Sequence, residues 1–144
     1  MKPLRLLLAD DHILVRAGLR ALLDGIEGIT VVAEADNGEQ AVALAMQHRP
    51  DIVLLDITMP GMNGLQAAER ILRDLPGTRV LILSMHASDE YVTQALKLGV
   101  SGYLLKDAAT LELQAALEAV AAGTTYLSPR ITSQLLQSKG LRQP

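Results

Sequence analysis

Five short aliphatic runs, each stopped by a polar residue and each followed by a segment of helical spacing, leave this chain few folds to choose from. Leu4 to Ala9 stops at Asp10-Asp11, and Ile29 to Ala35 (ITVVAEA) stops at Asp36-Asn37-Gly38. Ile52 to Leu55 stops at Asp56, Arg79 to Leu83 at Ser84, and Tyr103 to Leu105 at Lys106. The unbroken Ile52-Val53-Leu54-Leu55 run is what a strand buried on both faces requires. Helices are predicted between these runs. Ile13 to Leu23 carries Val15, Leu19, Leu22 and Leu23 at helical spacing, and Glu39 to His48 is alanine-rich. Leu65 to Arg73 follows the turn residues Pro60, Gly61, Asn63 and Gly64. Ser88 caps a helix with Asp89 and Glu90 in its first turn, ending at Gly99. Thr110 to Ala122, with Leu113, Leu117 and Val120 on one stripe, stops at Gly123. Strands alternating with helices through short connections imply a doubly wound α/β domain, (βα)5, with a five-stranded parallel sheet and helices on both faces. The expected domain spans 1–123. The more polar stretch 124–144 reads as a linker, or the start of a linker helix, with Ile131 and Leu135 four residues apart.

In such a sheet, sites form outside the carboxyl ends of the strands. Asp10, Asp11, Asp56, Ser84 and Lys106 all fall on that one edge, although no local spacing rule would collect them. Three carboxylates in one crevice repel one another unless a cation sits among them. The chain has no cysteine, which excludes disulfides and thiolate-held metals, and none of its three histidines shares a ligand spacing. An all-oxygen donor set selects a hard cation, Mg2+ above others. A lysine and a hydroxyl beside that cation make a site for phosphoryl transfer onto a carboxylate. The net charge of -3 argues against direct nucleic-acid binding by the chain as a whole. The first apolar run, after Met1-Lys2-Pro3, is too short for a signal peptide or a membrane span, so a cytoplasmic, membrane-free protein is expected.

The segments LLLADDH, DIVLLDITMPGMNG, VLILSMH and GYLLKDA, in that order and spacing, resemble the receiver domain of bacterial two-component response regulators over about residues 4 to 122. The last two segments, and YLSPRITSQLL in the tail, are similar to the NarL/FixJ (LuxR-type) subfamily. The resemblance implies a flavodoxin-like fold with strand order 2-1-3-4-5. It implies that Asp56 accepts a phosphoryl group from a sensor histidine kinase and that Asp11 binds Mg2+ directly. Asp10 would act through water, Asp56 would share the metal, and the backbone carbonyl of Thr58 would complete the protein ligands. Lys106 would pair with the phosphoryl group and Ser84 would move to hydrogen-bond it. Tyr103 would be the switch aromatic, its ring turning inward as Ser84 moves. Homodimerisation on phosphorylation is implied, with DNA reached only through a helix-turn-helix output domain absent from this chain. The chain stops at Leu141-Arg142-Gln143-Pro144, before such a domain could begin. Two positions depart from the common pattern. Asp107 stands where many receivers have proline, so the cis Lys106–Asp107 peptide that proline favours is in doubt. Ser84 replaces a frequent threonine and lacks its methyl.

Rival readings make specific demands. A phosphohydrolase of the haloacid-dehalogenase kind needs a second aspartate two residues after its nucleophile, where this chain has Thr58. A flavin- or nucleotide-binding module needs donors after the first strand, where this chain has two carboxylates. A degenerate receiver serving only as a protein-interaction scaffold would not need the complete site. Signalling, not turnover of an external substrate, is the expected task.

Overall fold

The computed structural model describes residues 3–138; Met1-Lys2 and the end of the expected linker, 139–144, lie outside the described residues. In chain order the elements are β1 (Leu4–Ala9), α1 (Ile13–Asp24), β2 (Ile29–Ala35), α2 (Gly38–His48), β3 (Ile52–Asp56) and α3 (Gly64–Asp74). There follow β4 (Arg79–Ser84), α4 (Asp89–Leu98), β5 (Gly102–Leu105), α5 (Ala109–Ala121), β6 (Tyr126–Leu127) and α6 (Pro129–Ser138). A single turn of 3-10 helix, Lys106–Ala108, joins β5 to α5. The sheet is parallel, with order β2-β1-β3-β4-β5-β6.

Period-two alternation along each strand divides the core into two layers. Leu6, Leu8, Ile52, Leu54, Leu81, Leu83 and Leu104 point to one face, which α1 and α5 cover through Leu19, Leu23, Leu113 and Leu117. Leu7, Val53, Leu55, Val80, Ile82, Tyr103 and Leu105 point to the other, which α2, α3, α4 and α6 cover. Every residue of β3 is buried, as its unbroken apolar run requires. Each fully buried leucine or isoleucine contributes about 2 kcal/mol of transfer free energy, so the central strands anchor the domain. Local signals set the helix ends. Asn37 and Ser88 cap α2 and α4, and Asn63 with Gln66 forms a capping box on α3.

The sheet has six strands, where the sequence predicted five. The extra strand is only two residues long, too short to carry a period. It pairs with β5, Gly102 against Tyr126 and Tyr103 against Leu127. A Cβ on Gly102 would lie 2.7 Å from the Tyr126 carbonyl oxygen, so the absent side chain admits the extra strand. Nor is the tail unpacked: Ile131 of α6 is fully buried in the second core layer, with Leu127 and Leu135 against it.

A polar latch fixes this addition. Glu112 on α5 accepts from the Tyr126 hydroxyl at 2.8 Å and the Ser128 hydroxyl at 2.9 Å. Ser128 Oγ in turn accepts from the Leu105 amide at 3.0 Å. Burial, then the hydrogen bond and charge of Glu112, push the Tyr126 phenol up to about 12. An unfolded tyrosine ionises near pH ~10. As pH rises from there toward the folded value, the unfolded chain loses its proton first and stability falls. Tyr126→Phe is expected to flatten that alkaline fall, read as urea midpoints between about pH 9 and 11; an unchanged slope would remove Tyr126 as its source.

Candidate functional site

The chain winds outward in both directions from the β1/β3 pair, so a crevice opens beyond the carboxyl ends of those strands. Asp10 follows β1 directly, and its amide still donates to the Ala35 carbonyl at 3.0 Å, which holds it in register with β2. Asp56 is the last residue of β3. Both carboxylates are almost fully buried. Lys106, just past β5, reaches between them, its Nζ 2.9 Å from Asp10 Oδ2 and 3.0 Å from Asp56 Oδ2. One ammonium therefore compensates two buried carboxylates, leaving the cluster one negative charge in excess before Asp11 is counted.

The remaining lone pairs are sparsely satisfied. Asp10 Oδ1 accepts from the His12 amide at 2.9 Å, and Asp56 Oδ1 from the Thr58 amide at 3.3 Å. Asp10 Oδ2 and Asp11 Oδ1 are buried without a hydrogen bond, touched only by the ion-pair contacts of Lys106 and His12. Donor atoms of Asp10, Asp11, His12 and Asp56 lie within 4.8 Å of one another. Converging carboxylate oxygens with unmet acceptor capacity fit a hard divalent cation of the Mg2+ type. Burial raises the Asp56 carboxyl above its ordinary range, Lys106 opposes that rise, and the charge of Asp10 adds to it. Burial alone would lower the Lys106 ammonium, but the two carboxylates outweigh it and the net shift is upward. The ion pair is thus firmly charged on its cationic side.

Ser84 and Tyr103 sit together on the neighbouring side, around His86. Ser84 Oγ accepts from the His86 amide at 2.9 Å, and the Tyr103 hydroxyl donates to the His86 carbonyl at 2.8 Å. Burial raises the Tyr103 phenol, which Ser84 partly counters by hydrogen bonding. The Tyr103 ring is fully buried and points inward. The Lys106–Asp107 peptide is trans.

The structure brings Asp10, Asp56 and Lys106 into contact, with Asp11 at the rim and the Thr58 amide on Asp56. Two neighbours complete the surroundings. His12 places Nδ1 3.2 Å from Asp11 Oδ1 and 3.4 Å from Asp10 Oδ1, a contact its place after Asp11 hints at. Gly64 lies directly against the end of β3: a Cβ there would fall 2.0 Å from the Asp56 carbonyl oxygen and 2.7 Å from Ile57 Cα. Both are backbone atoms and cannot swing aside. Gly64→Ala is expected to cost about 1–3 kcal/mol as overpacking. Thermal unfolding checks it; a variant that melts with wild type would show that the loop relaxes freely.

The sequence model of the response regulator receiver domain matches residues 6–118. Response regulator GacA of Pseudomonas aeruginosa is 40% identical over 132 residues, 92% of this chain and 62% of that protein. The nitrate/nitrite response regulator protein NarL of Escherichia coli is 42% identical over 137 residues, 95% of this chain and 63% of that protein. The chain therefore spans less than two thirds of the length of these relatives. A two-component response regulator of the LuxR family from an Aurantimonas species has a solved structure that superposes with a TM-score of 0.92 at 36% identity, covering 96% of this chain and 99% of that one.

Proposed function

Because the chain belongs to the response regulator receiver domain family, we propose that it carries signal as a phosphoryl group on Asp56, received from the phosphohistidine of a sensor histidine kinase. The observation that carries this reading is the lysine bridge: a buried Lys106 ammonium spanning Asp10 and Asp56 at the ends of β1 and β3. In the transfer, an Asp56 carboxylate oxygen forms the new O–P bond while the P–N bond to the kinase imidazole breaks, and the imidazole leaves with the electron pair. Lys106 is placed to follow the incoming charge from the Asp56 carboxylate to a phosphoryl oxygen. Ser84, one strand away, is placed to donate its hydroxyl to another phosphoryl oxygen. Mg2+ would be held by Asp11, Asp56 and the Thr58 carbonyl, with Asp10 acting through water, and would neutralise phosphoryl charge.

The acyl phosphate then biases a two-state equilibrium in which Ser84 and Tyr103 are the switch pair. Output would run through homodimerisation and a C-terminal DNA-binding domain, with 1–123 as receiver and 124–144 leading toward that domain. The task is signalling in the cytoplasm, and among the described residues no helix is long and apolar enough to cross a membrane. The phosphohydrolase reading is disfavoured, since Thr58 offers only its amide to Asp56 and has no acid to protonate a leaving group.

The test is intact-mass spectrometry after incubation with acetyl phosphate, with Mg2+ and with chelator. One phosphoryl adduct, seen only with metal, supports the assignment. No adduct from acetyl phosphate or from a panel of autophosphorylated kinases would leave a scaffold in place of a phosphoacceptor.

A further inference from the structure

The loop between β4 and α4 is held from three directions. From its start, Ser84 Oγ accepts the His86 amide. From β5, the Tyr103 hydroxyl donates to the His86 carbonyl. From α6, the Gln134 amide donates to the next carbonyl along, that of Ala87, and to Asp89 Oδ1 at 2.8 Å. Successive carbonyls of one short loop are thus gripped by the switch tyrosine and by the tail helix. The apolar contacts agree with the polar ones. Ile131 of α6 is fully buried in the same core layer as Tyr103, Val92 and Ala95, and Leu127 and Leu135 pack against that layer. Pro129 opens α6, where its missing amide is no loss, and the Glu112–Ser128 latch fixes the approach. The helix is therefore seated against α4, in the core layer that holds the ring.

This arrangement has a direction. Tyr103 is inward, its hydroxyl needs the His86 carbonyl where the loop now holds it, and Gln134 holds the adjoining peptide there. Ser84, the residue that meets the phosphoryl group on the reading of Asp56 given above, is the last residue of β4, where that loop begins. Asp56 and Leu83 are register partners, so Ser84 ends its strand one residue beyond the level of Asp56. The contacts form a continuous link from Ser84, the residue after the register partner of Asp56, through His86 and Ala87 to Gln134, of the kind that couples two sites.

We propose that α6 is a positioning element of the switch: Gln134 and Ile131 hold the β4–α4 loop and the Tyr103 ring in the inward arrangement, so that docking of α6 and phosphorylation of Asp56 favour each other. This rests on Asp56 being the phosphoacceptor. Coupling between two sites is reciprocal, so each effect can be measured from the other end. Phosphorylation tightens α6 against α4, and loosening α6 weakens the site's hold on a phosphoryl mimic.

The experiment uses beryllofluoride with Mg2+ as that mimic. In the wild-type chain, hydrogen exchange at the α6 amides is expected to slow when beryllofluoride binds. Gln134→Ala is expected to weaken beryllofluoride binding several-fold, and Gln134→Glu, which sets a carboxylate against Asp89, to weaken it further. A merely structural role for Gln134 would lower the melting temperature and leave the dissociation constant where it is. An unchanged dissociation constant in both variants, or faster α6 exchange in the bound form, would overturn the inference. Beryllofluoride that fails to bind wild type, or binds Asp56→Asn equally well, would instead sink the phosphoacceptor reading and this inference with it.

Discussion

Asp56→Asn is expected to take up no phosphoryl group from acetyl phosphate under conditions that label the wild-type chain. The substitution keeps the shape of the side chain but exchanges the carboxylate that we propose as nucleophile for a neutral amide, which cannot form an acyl phosphate. Loss of a catalytic nucleophile typically lowers rate by a factor on the order of 10^4 or more, which leaves nothing visible in an intact-mass spectrum. The fold should survive. The Asp56 carboxylate is buried, its pKa is raised mainly by burial, and removing its charge relieves the excess of negative charge around Lys106. Lys106 keeps Asp10 as an ion-pair partner at 2.9 Å. A melting temperature equal to or above wild type, combined with no adduct, is the expected pair of results; an adduct of equal yield would place the acceptor elsewhere.

Lys106→Met should have the largest effect on stability. The side chain is nearly fully buried and its stem is replaced by one of similar volume, so packing changes little while the charge disappears. Asp10 and Asp56 then face each other with no cation between them. Breaking a buried ion pair by removing one partner costs about 3–5 kcal/mol. The pH dependence has a definite sign. Burial already raises Asp56 above its unfolded value, so ionising it as pH rises through the folded pKa removes stability. Without Lys106 the opposing influence is lost and the removal is larger. The deficit relative to wild type should therefore be greatest at neutral and alkaline pH and shrink as the solution is acidified through the carboxylate range. Added Mg2+ should recover part of it. Urea unfolding across pH, with metal and with chelator, measures all three; a deficit independent of pH and metal would mean that packing, not charge, is what Lys106 supplies.

Much of this was legible before any coordinates, for reasons that differ between elements. The buried run Ile52-Val53-Leu54-Leu55 and the stripes of α1 and α5 declare themselves because burial on one or two faces imposes a period on the sequence. The pocket was legible because a parallel sheet gathers strand ends: Asp10, Asp56 and Lys106 are far apart in sequence and meet within 3.0 Å. Elements that depend on close approach were not legible. Strand β6 exists because Gly102 lacks a side chain, and the polar composition of the tail hid the one buried isoleucine that seats α6. The inward position of Tyr103 depends on a loop carbonyl, that of His86, and no residue type announces where a main-chain carbonyl will point. His12 looked incidental because one imidazole after two aspartates has no metal-ligand spacing of its own.

Strand β6 also bears on how the domain behaves as a material. It covers the outer hydrogen-bonding edge of β5 at Gly102 and Tyr103, and the helix behind it shields the apolar face beside that edge. A fragment cut at Gly123, the boundary that the alternating pattern suggests, would present a bare central-type strand of four buried residues to solvent. Exposed edges of that kind template pairing between molecules. The two-residue strand therefore protects the domain against self-association through its sheet, and shortened versions of this chain would be expected to precipitate before they unfold.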